Sequence, residues 1–251
     1  MKKISATIIT FNEEKNIERC LESLQGIVDE IIVVDSFSTD GTKEICLKHQ
    51  VNFFERTFMD YSEQKNWALE QTKYSIILSI DADEVLSEEL KSNILKVKNN
   101  WKADAYTFKR MTNYCGRWIR HSGWYPDSQL RLWDKEKGKW DGNKIHEKVQ
   151  LVSNSTISKL KGNLLHYSFY SIQQHIDQIN KFSELKADQL FQKGKKTNGF
   201  KIIFSPLFKF IKHYIFNFGF LDGFYGFVIC VNSAHSSFLK QVKLRQKNHA
   251  K

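Results

Sequence analysis

Asp81, Asp83 and Glu84 fall within four positions, directly after the aliphatic run SIILSI. The run reads as a buried strand, and the residues after the acids as a helix opening at Ser87 with Glu88 and Glu89 in its first turn. Three carboxylates at the end of a buried strand repel one another unless something positive sits among them. An Asp-x-Asp in that position suits a hard divalent cation such as Mg²⁺ or Mn²⁺, whose preferred ligands are carboxylate oxygens and whose shell a substrate phosphate completes. The same residues also fit an exposed turn and helix start, where acids are common.

The elements around this cluster alternate in type. SATIITF reads as a strand and NEEKNIERCLESL as a helix with Ile17, Cys20, Leu21 and Leu24 on one face. EIIVVD is a second buried strand, and FSTDGT turns into a helix ending near His49. VNFFER is a third strand, SEQKNWALEQT a helix, and SIILSID the fourth strand. Strand–helix alternation with continuous aliphatic strands predicts an α/β fold with a mainly parallel central sheet covered on both faces. Ligands bind such sheets beyond the carboxyl ends of the strands. Thr10–Glu13, Asp35–Asp40 and Asp81–Glu84 all fall there, so three strands deliver polar side chains to one edge. Neither GxGxxG nor GxxxxGK[ST] occurs, which excludes the usual dinucleotide and P-loop signatures.

From Asp104 the pieces are shorter and richer in aromatics: DAYTFKRM, SGWYPDSQLRLW, KGKWDGNKIHEKVQL and LKGNLLHYSF. They read as strands and loops that extend the sheet and cover the site. The expected division is a domain over 1–170, with a nucleotide-binding half at 1–100 and an acceptor half at 101–170. A helical, aromatic and basic extension over 171–251 follows.

The order TIITFNEE, IIVVDSFSTDGT, SIDADE resembles the family 2 glycosyltransferases over roughly residues 1–150. The resemblance implies the GT-A type nucleotide-diphospho-sugar transferase fold and inverting transfer of a sugar from a nucleotide donor. It would set Thr10, Asn12 and Glu13 under the nucleoside and Asp35 against the base. Asp81 would reach the ribose or metal region, and Asp83 would bind the metal bridging the diphosphate. Lys65 matches a basic position that approaches the diphosphate or Asp81. One departure is that the common Asp and Gly after Asp35 are here Ser36 and Phe37. The whole chain, through VVDSFSTD, SIDADE, GWYPDSQLRLW, KIHEKV, LLHYSF and GFLDGFYGF, resembles the bacterial lipopolysaccharide inner-core glucosyltransferases of the WaaE type. That narrower resemblance implies transfer of glucose from UDP-glucose to a heptose of the lipid-anchored core.

Such a transfer needs a base for the acceptor hydroxyl and stabilisation of the departing diphosphate. Glu147, after His146 in KIHEKV, matches the His-Glu motif of the family and is the first candidate base. Asp127 in WYPDSQ is the second, and also fits a turn-forming Asp after Pro126. His166 in LLHYSF would complete the metal shell or touch the diphosphate, or be a hydrogen-bonded core residue. Arg131, between Leu130 and Leu132, faces either the site or solvent. Trp124 and Tyr125, with Arg131 and His146, are candidate acceptor contacts, and the two aromatics equally suit a core.

Charge is unevenly placed. Residues 193–251 hold 11 Lys/Arg against Asp222 alone, which leaves 27 of each sign in residues 1–192 and puts the whole net charge of +10 in the last fifth. Residues 200–227 carry 11 Phe or Tyr, interrupted by Lys201, Lys209, Lys212 and Asp222, so no 18-residue apolar run exists and a span is not expected. Apolar faces with lysines alongside suit a helix or helical pair lying in a membrane interface, facing an anionic lipid-anchored acceptor. The long apolar runs do not suit nucleic acid. Four dispersed cysteines fit reduced thiols, and the N-terminal segment lacks a secretory pattern. The expected location is therefore the cytoplasmic face of the bacterial inner membrane, as a peripheral protein. Two rival readings are a nucleotidyltransferase, whose Gly-rich basic loop is missing here, and a non-catalytic membrane protein with a relic sugar-nucleotide fold.

Overall fold

The computed structural model describes residues 1–142 and 147–249. The chain forms two compact units, one from residues 1–110 with 127–167 and one from residues 111–126 with 168–251. Trp124 and Tyr125 therefore belong to the second unit, although they precede residue 170.

The first unit opens with β1 (Ile4–Thr10), α1 (Ile17–Leu24), β2 (Glu30–Asp35), α2 (Thr42–Lys48), β3 (Asn52–Glu55), α3 (Tyr61–Glu70) and β4 (Ile76–Asp81). The strands β3, β2, β1 and β4 pair in parallel in that order. Alternation along β2 sends Val33 to one face, among Ile8, Ile17 and Leu21, and Ile32 and Val34 to the other, against Ala68 of α3. Apolar residues on both faces are what a sheet covered twice requires, and they explain why these strands read as unbroken aliphatic runs.

Register fixes the edge. Thr10 is paired with Asp35 and Ile9 with Asp81, so the polar ends of β1, β2 and β4 arrive at one level.

After β4 the chain makes a three-residue strand, β5 (Glu84–Leu86), before α4 (Glu88–Asn99). The Ser87 hydroxyl accepts the Leu90 amide at 3.3 Å, and Glu88 and Glu89 occupy the first turn of α4, as expected from the sequence. The strand itself was not expected, because three residues carry too little alternation to be seen. The remaining strands are β6 (Ala105–Tyr114), β7 (Arg117–Trp118), β8 (Asp127–Asp134), β9 (Gly138–Asp141), β10 (Lys148–Leu151) and β11 (Ile157–Phe169). Of these, β8, β6 and β11 extend the sheet in the order β4-β8-β6-β11-β5, with β8 antiparallel to β4 and to β6 and β11 antiparallel to β5. The short β7 pairs with β6, and β9 pairs with β10 in a separate two-stranded sheet. The fold is GT-A-like: α/β, with a mixed, mainly parallel central sheet and C-terminal helices.

In the second unit, α5 (Ile172–Gln192) opens with a capping box of Ser171 and Gln174. Next come α6 (Gly199–Ile211), capped by Asn198, a π turn over Lys212–Phe216, a 3₁₀ turn over Gly219–Asp222, and α7 (Gly223–His249). The core of this unit gathers Tyr114, Ile119, Phe169 and Ile229. Asp222 is buried and accepts the amides of Arg120 and His121 at 3.1 and 2.9 Å and the Ser122 hydroxyl at 3.0 Å. The lone acid of the basic tail is thus used inside the unit. At Gly226 a Cβ would run into the carbonyl of Gly219, so this turn closes only around glycine. Among the described residues no single helix is long and apolar enough to cross a membrane. The pair Gly199–Phe216 and Gly219–His249, bent by 71°, reaches that length and composition only when taken together.

Candidate active site

Beyond the ends of β1 and β4 lies a cavity of about 530 Å³, lined by Thr10, Glu13, Ser36, Tyr61, Asp83 and His166 among others. Antiparallel pairing of β5 with β11 builds one wall. His166 stands opposite Glu84 in register, and the Tyr167 amide donates to the Asp83 carbonyl at 2.9 Å. That pairing carries His166 Nε2 to 3.0 Å from Asp83 Oδ2. Burial would lower the proton affinity of His166, but the Asp83 carboxylate outweighs it and holds the imidazole above its ordinary value. Among the described residues the other ring nitrogen, Nδ1, is buried without a hydrogen-bond partner, as is the Thr10 hydroxyl.

The other two carboxylates of the cluster are neutralised by the protein itself. Lys65 Nζ lies 2.9 Å from Asp81 Oδ1, and Arg131 Nη2 lies 2.8 Å from Asp81 Oδ2. Burial opposes ionisation of Asp81, but Arg131 and Lys65 prevail and hold its carboxyl well below the usual carboxylate range. Glu84 is wholly buried, accepts the Asp81 amide at 2.9 Å, and pairs with Arg131 at 3.3 Å and Arg110 at 3.4 Å. The sequence expectation set the metal on Asp81, Asp83 and His166, whereas in the structure Asp81 is held by Lys65 and Arg131. Asp81, Asp83 and His166 all line the cavity, but both oxygens of Asp81 are paired with Lys65 and Arg131, whereas Asp83 meets His166 there.

Trp140 of β9 packs beside both cations, with Lys65 Nζ 4.5 Å and the Arg131 guanidinium 5.6 Å from its ring centre. Lys65, only 2% exposed, also reaches Glu147 Oε1 at 3.2 Å. Arg131 is 4% exposed, so it points neither to solvent nor into open space but into this ionic lattice.

The first turn of the sheet edge is self-bonded. Asp35 is fully buried and its Oδ2 accepts the Ser38 amide at 2.7 Å, with the Ser38 hydroxyl on Oδ1. Asn12, at φ +55°, accepts the Thr39 amide at 2.8 Å, and its own amide donates to the Ser38 hydroxyl at 2.8 Å. Glu13 Oε2 accepts Asn16 Nδ2 at 2.7 Å. Burial raises the proton affinity of Glu13, and Asp83, Asp40 and Asp81 add to the effect against the Asn16 bond. Asp35 and Asn12 thus shape the loop, while Thr10 and Glu13 line the cavity.

Other candidates lie elsewhere. Asp127 Oδ2 accepts Arg110 Nε at 2.9 Å and its Oδ1 accepts Gln129 Nε2 at 2.7 Å, so both oxygens are occupied, outside the cavity lining. Trp124 packs in the second unit's aromatic cluster, with ring centres 5.7 Å from Tyr114 and Phe169 and 5.4 Å from His175. Tyr125, beside it, is half-buried. His146 lies outside the described residues. Glu84, Arg110, Trp140 and Tyr61 had no role assigned from sequence. Only the alternation of Arg131 with Leu130 and Leu132 hinted that a cation enters the sheet.

Among the described residues no three His, Cys, Asp or Glu side chains stand close enough to hold a metal ion. A carboxylate and an imidazole side by side do make the partial shell that a divalent ion completes with water and substrate phosphate. The residues present fit such an ion in that limited sense.

The family model described as Glycosyl transferase family 2 matches residues 5–151. The chain belongs to glycosyltransferase family 2. Lipopolysaccharide core biosynthesis glycosyltransferase LpsC of Rhizobium meliloti is 32% identical over 99% of this chain and 94% of its own length. An uncharacterized glycosyltransferase of Rickettsia typhi is 32% identical over 98% of this chain and 88% of its own. The solved structure of S. aureus TarS 1-349 in complex with UDP aligns with 99% of this chain and 91% of its own, at 16% identity and a TM-score of 0.49. Family 2 membership and the near full-length likeness to LpsC match what the motifs TIITFNEE, VVDSFSTD and SIDADE led us to expect. In this family 2 chain the strand ends carry the same acids that the motifs supply, arranged as one open pair and one closed lattice.

Proposed function

We propose that the chain is a metal-dependent inverting hexosyltransferase that moves glucose from UDP-glucose to a heptose of the lipopolysaccharide inner core. The observation that carries this is the Asp83–His166 pair on the cavity, beside a lattice in which Lys65 and Arg131 hold Asp81. The likeness to LpsC over nearly the whole chain supports the core acceptor.

In this reading Asp83 and His166 would hold Mg²⁺ or Mn²⁺, which supplies charge neutralisation at the departing diphosphate. Thr10 and Glu13 line the floor under the nucleoside, and Lys65 places positive charge next to the phosphates. Glu147 takes the proton of the acceptor hydroxyl as that oxygen attacks the anomeric carbon opposite the leaving UDP. The carbon–oxygen bond to UDP breaks as the new bond forms, which inverts the centre. Glu147 is preferred to Asp127 because, among the described residues, only one of its oxygens is held, by Lys65, whereas Arg110 and Gln129 occupy both of Asp127's.

Residues 200–251, basic and aromatic, rest on the cytoplasmic face of the inner membrane where a lipid-anchored, anionic acceptor is presented. The test is calorimetric binding of UDP-glucose, UDP-galactose and UDP, with and without Mn²⁺, to wild type and Asp83→Ala. Metal-dependent binding lost in the variant supports the reading, and the preferred ligand identifies the donor. Binding that favours another UDP-sugar would replace glucose as the donor. Failure of every uridine nucleotide to bind would overturn the enzyme reading in favour of a non-catalytic membrane protein.

A further inference from the structure

The exposed apolar residues of the second unit are not spread evenly over its helices. Phe216, Phe218, Phe220, Leu221 and Phe224 are 71, 55, 46, 57 and 69% exposed, and all five lie at the 71° bend where α6 gives way to α7. A soluble surface rarely concentrates so much apolar area without a partner. Charge is excluded from the same place. Between Lys212 and Lys240 no Lys or Arg occurs, and the one acid, Asp222, is buried on Arg120, His121 and Ser122. Lysines resume at both margins, with Lys209 and Lys212 on one arm and Lys240 and Lys243 on the other.

The matching of those lysines is informative. Lys243 and Lys247 pair with Glu184 and Asp188 at 2.6–3.3 Å. Lys209, Lys212 and Lys240 have no carboxylate within ion-pair distance among the described residues. Burial, together with neighbouring lysines, pushes the ammonium groups of Lys209 and Lys240 below their ordinary value. An anionic layer around the arms would relieve that repulsion, and an apolar layer beyond it would take the bend.

We propose that the bend at residues 214–227 enters the hydrocarbon edge of an anionic phospholipid bilayer tip first, with Lys209, Lys212 and Lys240 at the level of the lipid phosphates. The arrangement differs from a helix lying flat in the interface, which would bury the outer face of α6 along its whole length. Phe200, Ile203, Leu207 and Phe208 of that face are also exposed, but Lys201 and Lys209 adjoin them, so they reach the headgroup layer only. The 71° break and the glycine contact between Gly219 and Gly226 give the tip a fixed, closed turn. This inference rests on residues 200–251 being the membrane-facing part of the chain.

The test places an environment-sensitive label on single cysteines in the full-length Cys115→Ser protein, whose remaining cysteines are buried. Labels go at Phe216→Cys and Phe224→Cys in the bend, Phe200→Cys on α6 and Val152→Cys as an exposed control. Vesicles of phosphatidylcholine and phosphatidylglycerol carry a quencher either in the acyl chains or on the headgroup, and flotation reports binding separately. The expected result is acyl-chain quenching at 216 and 224, headgroup quenching at 200 and none at 152. Phe216→Ser with Phe224→Ser should weaken vesicle partitioning by about tenfold or more. Equal depth at 200 and 216, or flotation with an unquenched bend, overturns tip-first insertion while leaving membrane binding intact. Absence of flotation overturns both this inference and the membrane reading on which it rests.

Discussion

Asp83 and His166 meet at 3.0 Å because β5 and β11 pair antiparallel, an arrangement in which a three-residue strand sets the geometry of a candidate catalytic pair. The pair has a titration signature. Asp83 holds the His166 imidazole above its ordinary value against a burial effect that works the other way. In Asp83→Asn the burial effect remains and its main opponent is gone, so the imidazole titration should move down from its wild-type position. Proton NMR of the ring resonances checks this, and an unmoved titration would show that the pair is not coupled as described.

Activity should follow the same pair. Asp83→Ala and chelation of divalent ions should each cost on the order of 10²-fold or more in kcat, since neutralisation of the departing diphosphate contributes several kcal/mol. The variant's circular dichroism should match wild type, because Asp83 lies at the cavity rather than in the core.

The two candidate bases separate by experiment. Glu147→Gln should lower kcat by about 10²–10⁴-fold with UDP affinity little changed, as loss of a positioned base does. Asp127→Asn should cost far less, since its carboxylate is engaged by Arg110 and Gln129. Steady-state kinetics with direct UDP binding measures both, and the reverse order would transfer the base role to Asp127.

Arg131 is the keystone of the lattice. Its removal in Arg131→Met leaves Asp81 short of one partner and Glu84, wholly buried, with Arg110 alone. Breaking a buried pair from one side costs about 3–5 kcal/mol. Urea unfolding should show a loss of that size, with Arg131→Lys intermediate, because both ion pairs come from the one nitrogen Nη2, which an ammonium on a shorter stem replaces in part.

His175 gives the second unit an acid-sensitive point. It is buried against Tyr114, whose hydroxyl lies 3.0 Å from Nδ1, and burial lowers its pKa to about 4. With the folded value depressed, its contribution is fully present above the unfolded value near 6.5 and is lost as pH falls toward 4. The slope there is up to about 1.4 kcal/mol per pH unit. Urea midpoints at pH 7 and pH 4.5 should differ more for wild type than for His175→Gln, and equal differences would count against it.

The sheet was legible because its strands are buried on both faces. Runs such as EIIVVD and SIILSID announce themselves, and the turn residues after them fall by register at one edge. The Ser87 cap and the first-turn acids of α4 were equally plain. The ionic lattice was not legible in the same way. Lys65 lies on α3, where polar and apolar residues are mixed, and nothing local says that its ammonium is buried under Trp140. Glu84 was visible as a charge but not as a core residue, since its burial depends on Arg110 and Arg131 arriving from β6 and β8. Long-range pairing of opposite charges leaves no periodic trace in a sequence. Trp124 fits a core and a sugar platform equally well by residue type, and only its ring contacts place it in the aromatic cluster.

Interleaving of the two units has a consequence for synthesis. Tyr114 and Ile119 leave the ribosome early, yet Ile229, with which they pack, follows Ile119 by 110 residues. At about 5–20 residues per second the nascent segment waits on the order of 5–20 s for that partner. Until the last strand ends at Phe169, a Tyr- and Trp-bearing stretch destined for a core hangs between halves of an unfinished sheet, and after that it waits beside strands that are all made. The second unit therefore begins before the first is complete and closes last, and the chain's yield in the cell should depend on whatever shelters residues 111–126 until α7 is made.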